Sequence, residues 1–372
     1  MRVLHLTDEG FAVRESAMLA RLEVGLADEG ARVYRAGPRE PSAEDAVPAL
    51  YRRSIGFPRA TPWTTRRWRA RWLLQRLAEA QTGVEDSPVD VIHAFGGGVW
   101  DVAIEAGRQA ECPVVLEVWR ARLASRASSL GLGRAAASVL LAASDEAIER
   151  ELLDAHLASP VHRTPWGVHA PSKALPERTA TGRARSVVVA GSGRDVRAIR
   201  ACVSGLAMLA DERPDVLFFI DAEIFRRAQL WDTAEREGML SRVTLVDELE
   251  GRRDLALQAD VLVHPEGLGE QRSLLLDAMA QGVAVVASHD PHVSWLIGAR
   301  TCRSVTQATA AAWHDAMTRV LGSDQETAAL RASAWSYVRE HRMASRQVSA
   351  VLSAYERVVA TPTLPMHDAA GR

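Results

Sequence analysis

The sequence predicts an α/β protein made of two Rossmann-like, doubly wound parallel-sheet domains facing across a cleft. Three observations carry this expectation. Short apolar strands alternate with helices through residues 1–168, and the alternation restarts at residue 185. Between the two runs, residues 169–184 contain Pro171, Pro176 and Gly182 with few large apolar side chains, the composition of a linker. At 372 residues the chain exceeds one ordinary core. Parallel sheets covered on both faces bind ligands at the carboxyl ends of their strands, which places the ligand between the two domains.

In the first domain, residues 3–6 form a strand ending in the turn TDEG at 7–10. A helix follows over 14–29, with Met18, Leu19, Leu22 and Leu26 near helical spacing and Gly30 ending it. Strands are expected at 32–35, 89–94 and 114–118, the second entering the loop FGGG at 95–98, whose glycines permit a close backbone approach. A helix-rich stretch covers 122–141, and Ser144 is expected to cap the next helix. In the second domain (185–335), strands fall at 186–190, 216–220, 243–246, 261–264 and 283–287, and helices at 197–209, 226–237 and 252–258. Residues 334–359 are helical and lie outside both sheets; the tail 361–372 is expected to be disordered.

A hydrophobic content of 47% with net charge -2 suits a globular protein and supplies no global attraction to nucleic acid or membrane. No apolar run has the length of a membrane span, and the opening MRVLHLTDEG lacks the features of a signal peptide. Cys112, Cys202 and Cys302 have no metal or redox spacing, so a reduced cytoplasm is the expected setting. Of 45 basic residues only Lys173 is a lysine, so an anion site here relies on arginine, backbone amides or helix ends.

The stretch HPEGLGEQRSLLLDAMAQG, 264–282, is a loop bearing Glu266, Gly267, Gly269 and Glu270 that runs into a leucine-rich helix. The start of a helix presents unpaired N–H groups and about half a positive charge. Such a loop is either an ordinary helix cap or a place for a charged, sugar-like ligand.

Together with DVIHAFGGGVWD (90–101), TPWGV (164–168), GMLSRVTLVDEL (238–249) and QADVLVHPE (258–266), this stretch resembles the family-4 nucleotide-sugar glycosyltransferases of the GT-B fold. The resemblance implies an acceptor-side first domain, a second domain for a nucleoside-diphosphate sugar, and a helix over 336–360 crossing back to the first. It implies a retaining transfer without metal or added cofactor, the nucleotide sugar being the donor and a glycan, lipid or small molecule the acceptor. It places the donor phosphates on the amides after Gly269, near Arg272, Ser273 and Leu274, with Arg272, Arg194 and Arg197 as cationic partners. Asp277 is then placed on the ribose, Glu270 or else Glu266 on the sugar, and His93 near the transferred group.

The chain departs from the family pattern at several places. Gly269 stands at the first glutamate position and Phe95 at a second histidine position. Ser192 stands where an arginine is usual, and EGFAVRES replaces the first-loop glycine pair. A catalytically degenerate nucleotide or glycan binder, and an epimerase or hydrolase of nucleotide sugars, are the alternative functions. Each residue also has a plain reading: Asp277 as an exposed helical acid, Glu270 as a helix cap, His93 as a core histidine, Arg194 and Arg197 as a solvated helix start.

Two further motifs stand apart. GSGRDV (191–196) follows a strand and precedes a helix like a dinucleotide fingerprint, but Val196 replaces the third glycine. WTTRRWRARWLLQRL (63–77) lies in a stretch, 51–80, with eight arginines and one acid, and Trp68, Trp72 and Leu73 are expected on one helix face. Surface packing with arginine stems on apolar neighbours, or peripheral contact with an anionic membrane, both fit it.

Overall fold

The computed structural model describes residues 1–37, 54–80, 89–171, 175, 184–247 and 249–360, with backbone alone at 54, 134, 135 and 249–252. The tail, most of the linker, Lys173, Arg52 and Arg53 lie outside the described residues. The chain forms two compact units, Met1–Trp166 with Ala344–Arg372, and Gly167–Met343.

The first unit runs β1 (Arg2–Thr7), α1 (Glu9–Asp28), β2 (Arg32–Gly37), β3 (Ser54–Gly56), α2 (Arg66–Ala80), β4 (Val91–Phe95), α3 (Trp100–Ala110), β5 (Val114–Val118), α4 (Ala121–Ser128), β6 (Val139–Ala143), α5 (Glu146–Asp154) and β7 (Val161–Arg163). Its seven strands are parallel in the order β3-β2-β1-β4-β5-β6-β7. Every residue of β4, β5 and β6 is buried, as expected of central parallel strands covered on both faces.

The second unit runs β8 (Arg185–Val189), α6 (Val196–Glu212), β9 (Val216–Asp221), α7 (Ala222–Arg227), α8 (Trp231–Arg236), β10 (Val243–Val246), α9 (Leu249–Gln258), β11 (Val261–His264), α10 (Ser273–Ala280), β12 (Ala284–Ser288), β13 (Arg303–Val305), α11 (Ala310–Gly322) and α12 (Asp324–His341). Its six parallel strands take the order β10-β9-β8-β11-β12-β13. The core gathers Val187, Ile199, Leu206, Phe218, Val263 and Trp313. Gly205 lets α11 approach α6, because a Cβ there would stand 2.6 Å from the Ala310 carbonyl.

Several elements differ from the sequence reading. The stretch 122–141 holds α4 and then enters β6, an apolar run whose periodicity does not separate strand from helix. Asp145, not Ser144, caps α5 by accepting the Ala147 amide at 2.8 Å; the Ser144 hydroxyl donates to the Val118 carbonyl at 2.9 Å. The expected helix 226–237 is interrupted by Gln229 at φ 51°, leaving α7 and α8. The terminal helical stretch is two helices, α12 in the second unit and α13 (Ala344–Val359) in the first. In α2 the inward residues are Arg69, Ala70, Leu73 and Leu77, while Trp68 is exposed; Leu73 and Trp68 therefore do not share a buried face.

Candidate functional site

Strand order in the second unit reverses between β8 and β11. In doubly wound sheets, the carboxyl ends of strands at such a reversal are where ligands bind. The loops leaving these two strands enclose a small pocket lined by Ser192, His264, Glu266, Leu268, Glu270 and Arg272. Three residues singled out from the sequence thus meet in one place.

The loop after β8 turns sharply at Gly193, whose φ is 77°. Its amides converge on Glu266, a residue of the loop after β11. That carboxylate accepts the Arg194 amide at 2.8 Å, the Asp195 amide at 2.9 Å, the Gly193 amide at 3.3 Å and also the Ser192 amide. The Ser192 hydroxyl donates to it at 2.9 Å. Gly191 is required beside it, because a Cβ there would collide with the carboxylate. Burial pushes the Glu266 acid upward, but the Asp195 and Ser192 amides outweigh it and hold the carboxyl down to about 2. Glu266 is therefore a buried anion.

Arg194 donates from Nε to the Ser192 hydroxyl at 3.0 Å, and its guanidinium forms an ion pair with Glu270. Gly269 adopts φ 67° and donates its amide to Asp290 at 2.7 Å. Gln271 is buried and accepts Trp295 Nε1 at 2.6 Å. Arg272, in extended backbone, occupies the N-cap of α10; Ser273 is buried behind it and Leu274 half-buried. Asp277 sits on α10 as an ion-pair partner of Arg253 from α9. His264 donates from Nδ1 to the Ala190 carbonyl at 2.9 Å, and burial followed by the Arg272 charge lowers its pKa. Arg197 is exposed on the first turn of α6 and does not line the pocket. His264, Ser192, Asp290 and Arg253 received no role from the sequence. Only the first had a local signal, closing the apolar strand VLVH.

His93 belongs to the first unit, where it is fully buried. Its Nδ1 contacts the Tyr355 hydroxyl at 2.8 Å and its Nε2 contacts Glu117 at 3.2 Å. The same hydroxyl contacts His5 Nε2 at 3.1 Å, and His5 Nδ1 reaches Glu23 at 3.2 Å. Arg35 bonds Glu23 at 2.8 Å, and Trp166 donates to Glu117 at 2.6 Å. Burial lowers the His5 pKa and raises that of Tyr355. Burial also pushes Glu23 upward, but its hydrogen bonds from His5 and Arg35 prevail and hold it low. His5 then gives its Nδ1 proton to Glu23 and takes the phenol proton at Nε2. The phenol oxygen accepts from His93 Nδ1, and the Nε2–Glu117 contact is completed by one further proton. The FGGG loop has a related purpose. Asp8 accepts the Phe11 amide at 2.8 Å and the Gly98 amide at 3.0 Å, and a Cβ on Gly96 would collide with it.

Among the described residues no cluster of three or more His, Cys, Asp or Glu is placed to hold a metal ion. Among them also, no helix is long and apolar enough to cross a membrane.

No family model and no curated protein sequence matches the chain. Solved structures do. HepE of Anabaena, crystallised with UDP and glucose, is 14% identical with a TM-score of 0.75, covering 96% of this chain and 99% of that one. Sucrose-phosphate synthase from Thermosynechococcus elongatus is 15% identical with a TM-score of 0.71, covering 97% and 100%. WaaG, a glycosyltransferase involved in lipopolysaccharide biosynthesis, is 15% identical with a TM-score of 0.65, over 97% and 100%. The chain has the GT-B fold. Within that fold, the pocket at the β8–β11 reversal belongs to the carboxyl-terminal of the two Rossmann-like units.

Proposed function

We propose that this GT-B chain is a retaining, metal-independent glycosyltransferase using a nucleoside-diphosphate sugar and a glycan, lipid or small-molecule acceptor. One observation carries the reading: Arg272 and the start of α10 stand at the strand reversal of the second unit, with Arg194 paired to Glu270 of the pocket lining. Negative charge grows on the leaving diphosphate during transfer, and these groups favour it. HepE, of the same fold, was crystallised with UDP and with UDP-glucose, which supports a nucleotide-sugar donor. Asp277, held by Arg253, takes the ribose hydroxyls in this reading, and Glu270 orients the sugar.

The Arg194–Glu270 pair favours a second reading, a non-catalytic nucleotide or glycan binder, because the cation already has an anion of the chain beside it. Thermal shifts and turnover with a panel of UDP-, GDP- and ADP-sugars separate the two. Stabilisation with sugar transfer supports the enzyme, and stabilisation without turnover supports the binder. No stabilisation by any nucleotide overturns both the enzyme and the nucleotide binder, leaving only the glycan binder. Asp277→Ala is expected to abolish the nucleotide-induced shift. A peripheral contact with an anionic membrane rests on exposed Trp63 and Trp68 beside Arg66, Arg67 and Arg71. Equal co-sedimentation with neutral and anionic vesicles, or none, removes that part.

A further inference from the structure

The turn between β8 and α6 has the form that receives phosphate in dinucleotide-binding units: a glycine-rich loop after a strand, at the start of a helix, at the strand reversal. Here the loop's donors are spent on a side chain of the chain itself. Four consecutive amides, Ser192 to Asp195, and the Ser192 hydroxyl all donate to the Glu266 carboxylate. Glu266 is 2% exposed. A phosphate oxygen and a carboxylate oxygen ask for the same donors, so both cannot occupy the loop at once.

The contacts continue outward. The Ser192 hydroxyl donates to Glu266 and accepts Arg194 Nε, and the Arg194 guanidinium pairs with Glu270. This is an unbroken sequence of carboxylate, hydroxyl, guanidinium and carboxylate. It ties the loop after β8 to the loop after β11 and fixes the direction of the arginine. The hydroxyl can donate only once, so its proton on Glu266 leaves its lone pairs for Arg194.

We propose that Glu266 is a resident anion standing in for phosphate: it closes the β8–α6 amide loop to the donor and, through Ser192, positions Arg194 beside Glu270 of the pocket lining. Resting on the donor-site reading above, this makes Glu266 a positioning residue. The donor diphosphate is then received by Arg194, Arg272 and α10, not by the glycine loop. The family resemblance makes Glu266 the second choice, after Glu270, for orienting the sugar.

The test uses the full chain and no nucleotide, so it stands or falls apart from the donor reading. Glu266→Ala leaves the amides without an acceptor. Its melting temperature is expected to fall in chloride buffer. It should then rise saturably with sodium formate or inorganic phosphate at constant ionic strength, recovering most of the loss. Wild type is expected to show no saturable rise with formate, and with phosphate at most the smaller rise that Arg194, Arg272 and α10 give. Glu266→Gln fills the loop with an amide that presents N–H to N–H, so it is expected to fall and not recover. A Glu266→Ala protein indifferent to both anions, or a wild type that responds as strongly, overturns the proposal. Should Glu266→Ala not fold, wild type decides: a saturable shift of the Ser192–Asp195 amide resonances with formate overturns it, and unmoved resonances support it. The positioning half is read at the Arg194 Nε–H resonance, assigned through its loss in Arg194→Lys. That resonance is expected to move in Ser192→Ala and to return in Ser192→Thr; an unmoved resonance in Ser192→Ala refutes the relay.

Discussion

Tyr355→Phe removes a single oxygen from the interior of the first unit, and its cost follows from what that oxygen touches. The hydroxyl lies 3.1 Å from His5 Nε2 and 2.8 Å from His93 Nδ1, and all three side chains are fully buried. Neither imidazole has a ready substitute, because the other nitrogen of each is engaged by Glu23 or Glu117. The phenyl ring keeps the packing of Tyr355, so no cavity beyond one oxygen is made. Two buried polar atoms are stranded at about 1–3 kcal/mol each, giving an expected loss of roughly 3 kcal/mol. Native-state hydrogen exchange reads this locally. Slow amides of β4, β5 and α13 should lose about a hundredfold in protection. A loss below about 0.5 kcal/mol would refute the reasoning, since it would mean that water or a rearranged proton satisfies both rings.

Two more outcomes follow from the same groups and from Glu266. Glu117→Gln supplies an N–H toward His93 while keeping an oxygen for Trp166, so it completes the hydrogen bonds without the extra proton. It should cost less than about 1 kcal/mol, against 2 or more for Glu117→Leu, measured by the same exchange experiment. Stability should also fall with acid in two stages. His5 has a lowered folded pKa, so the unfolded chain binds more protons as pH drops below its ordinary value near 6.5, and stability falls from there. Glu266 has its carboxyl held at about 2 against 4.5. Its contribution, on the order of 3 kcal/mol, is whole above about pH 4.5 and is lost as pH falls through about 2. Denaturant midpoints of wild type and Glu266→Gln between pH 7 and 3 check the sign: the gap between them should narrow toward the acid end.

The central strands were legible in the sequence because parallel strands covered on both faces are short, largely apolar runs, as in VVLEV and VLVH with one polar residue each. The same property hid β6. VLLAA is apolar throughout and alanine-containing, and nothing in its spacing favours strand over helix. The three-residue edges β3, β7 and β13 are too short to show a period at all. At the pocket, the chemistry of Glu266, Glu270 and Arg272 was visible as a charged loop before a helix. Their partners were not: Glu266 is satisfied by amides more than 70 positions earlier, and Asp277 by an arginine on a different helix. His93 is the sharpest case. Its two readings could not be separated without Tyr355, which lies 262 positions away.

The return of α13 to the first unit has a consequence for biosynthesis. The second unit is continuous, so it can reach its native state once residue 343 has left the ribosome. The earlier-made unit must wait with His5 and His93 lacking their shared tyrosine until the final helix emerges. A chain cut before Ala344 and held on the ribosome by an added linker therefore carries a finished younger lobe behind an unfinished older one, and that older lobe is where chaperones should be found.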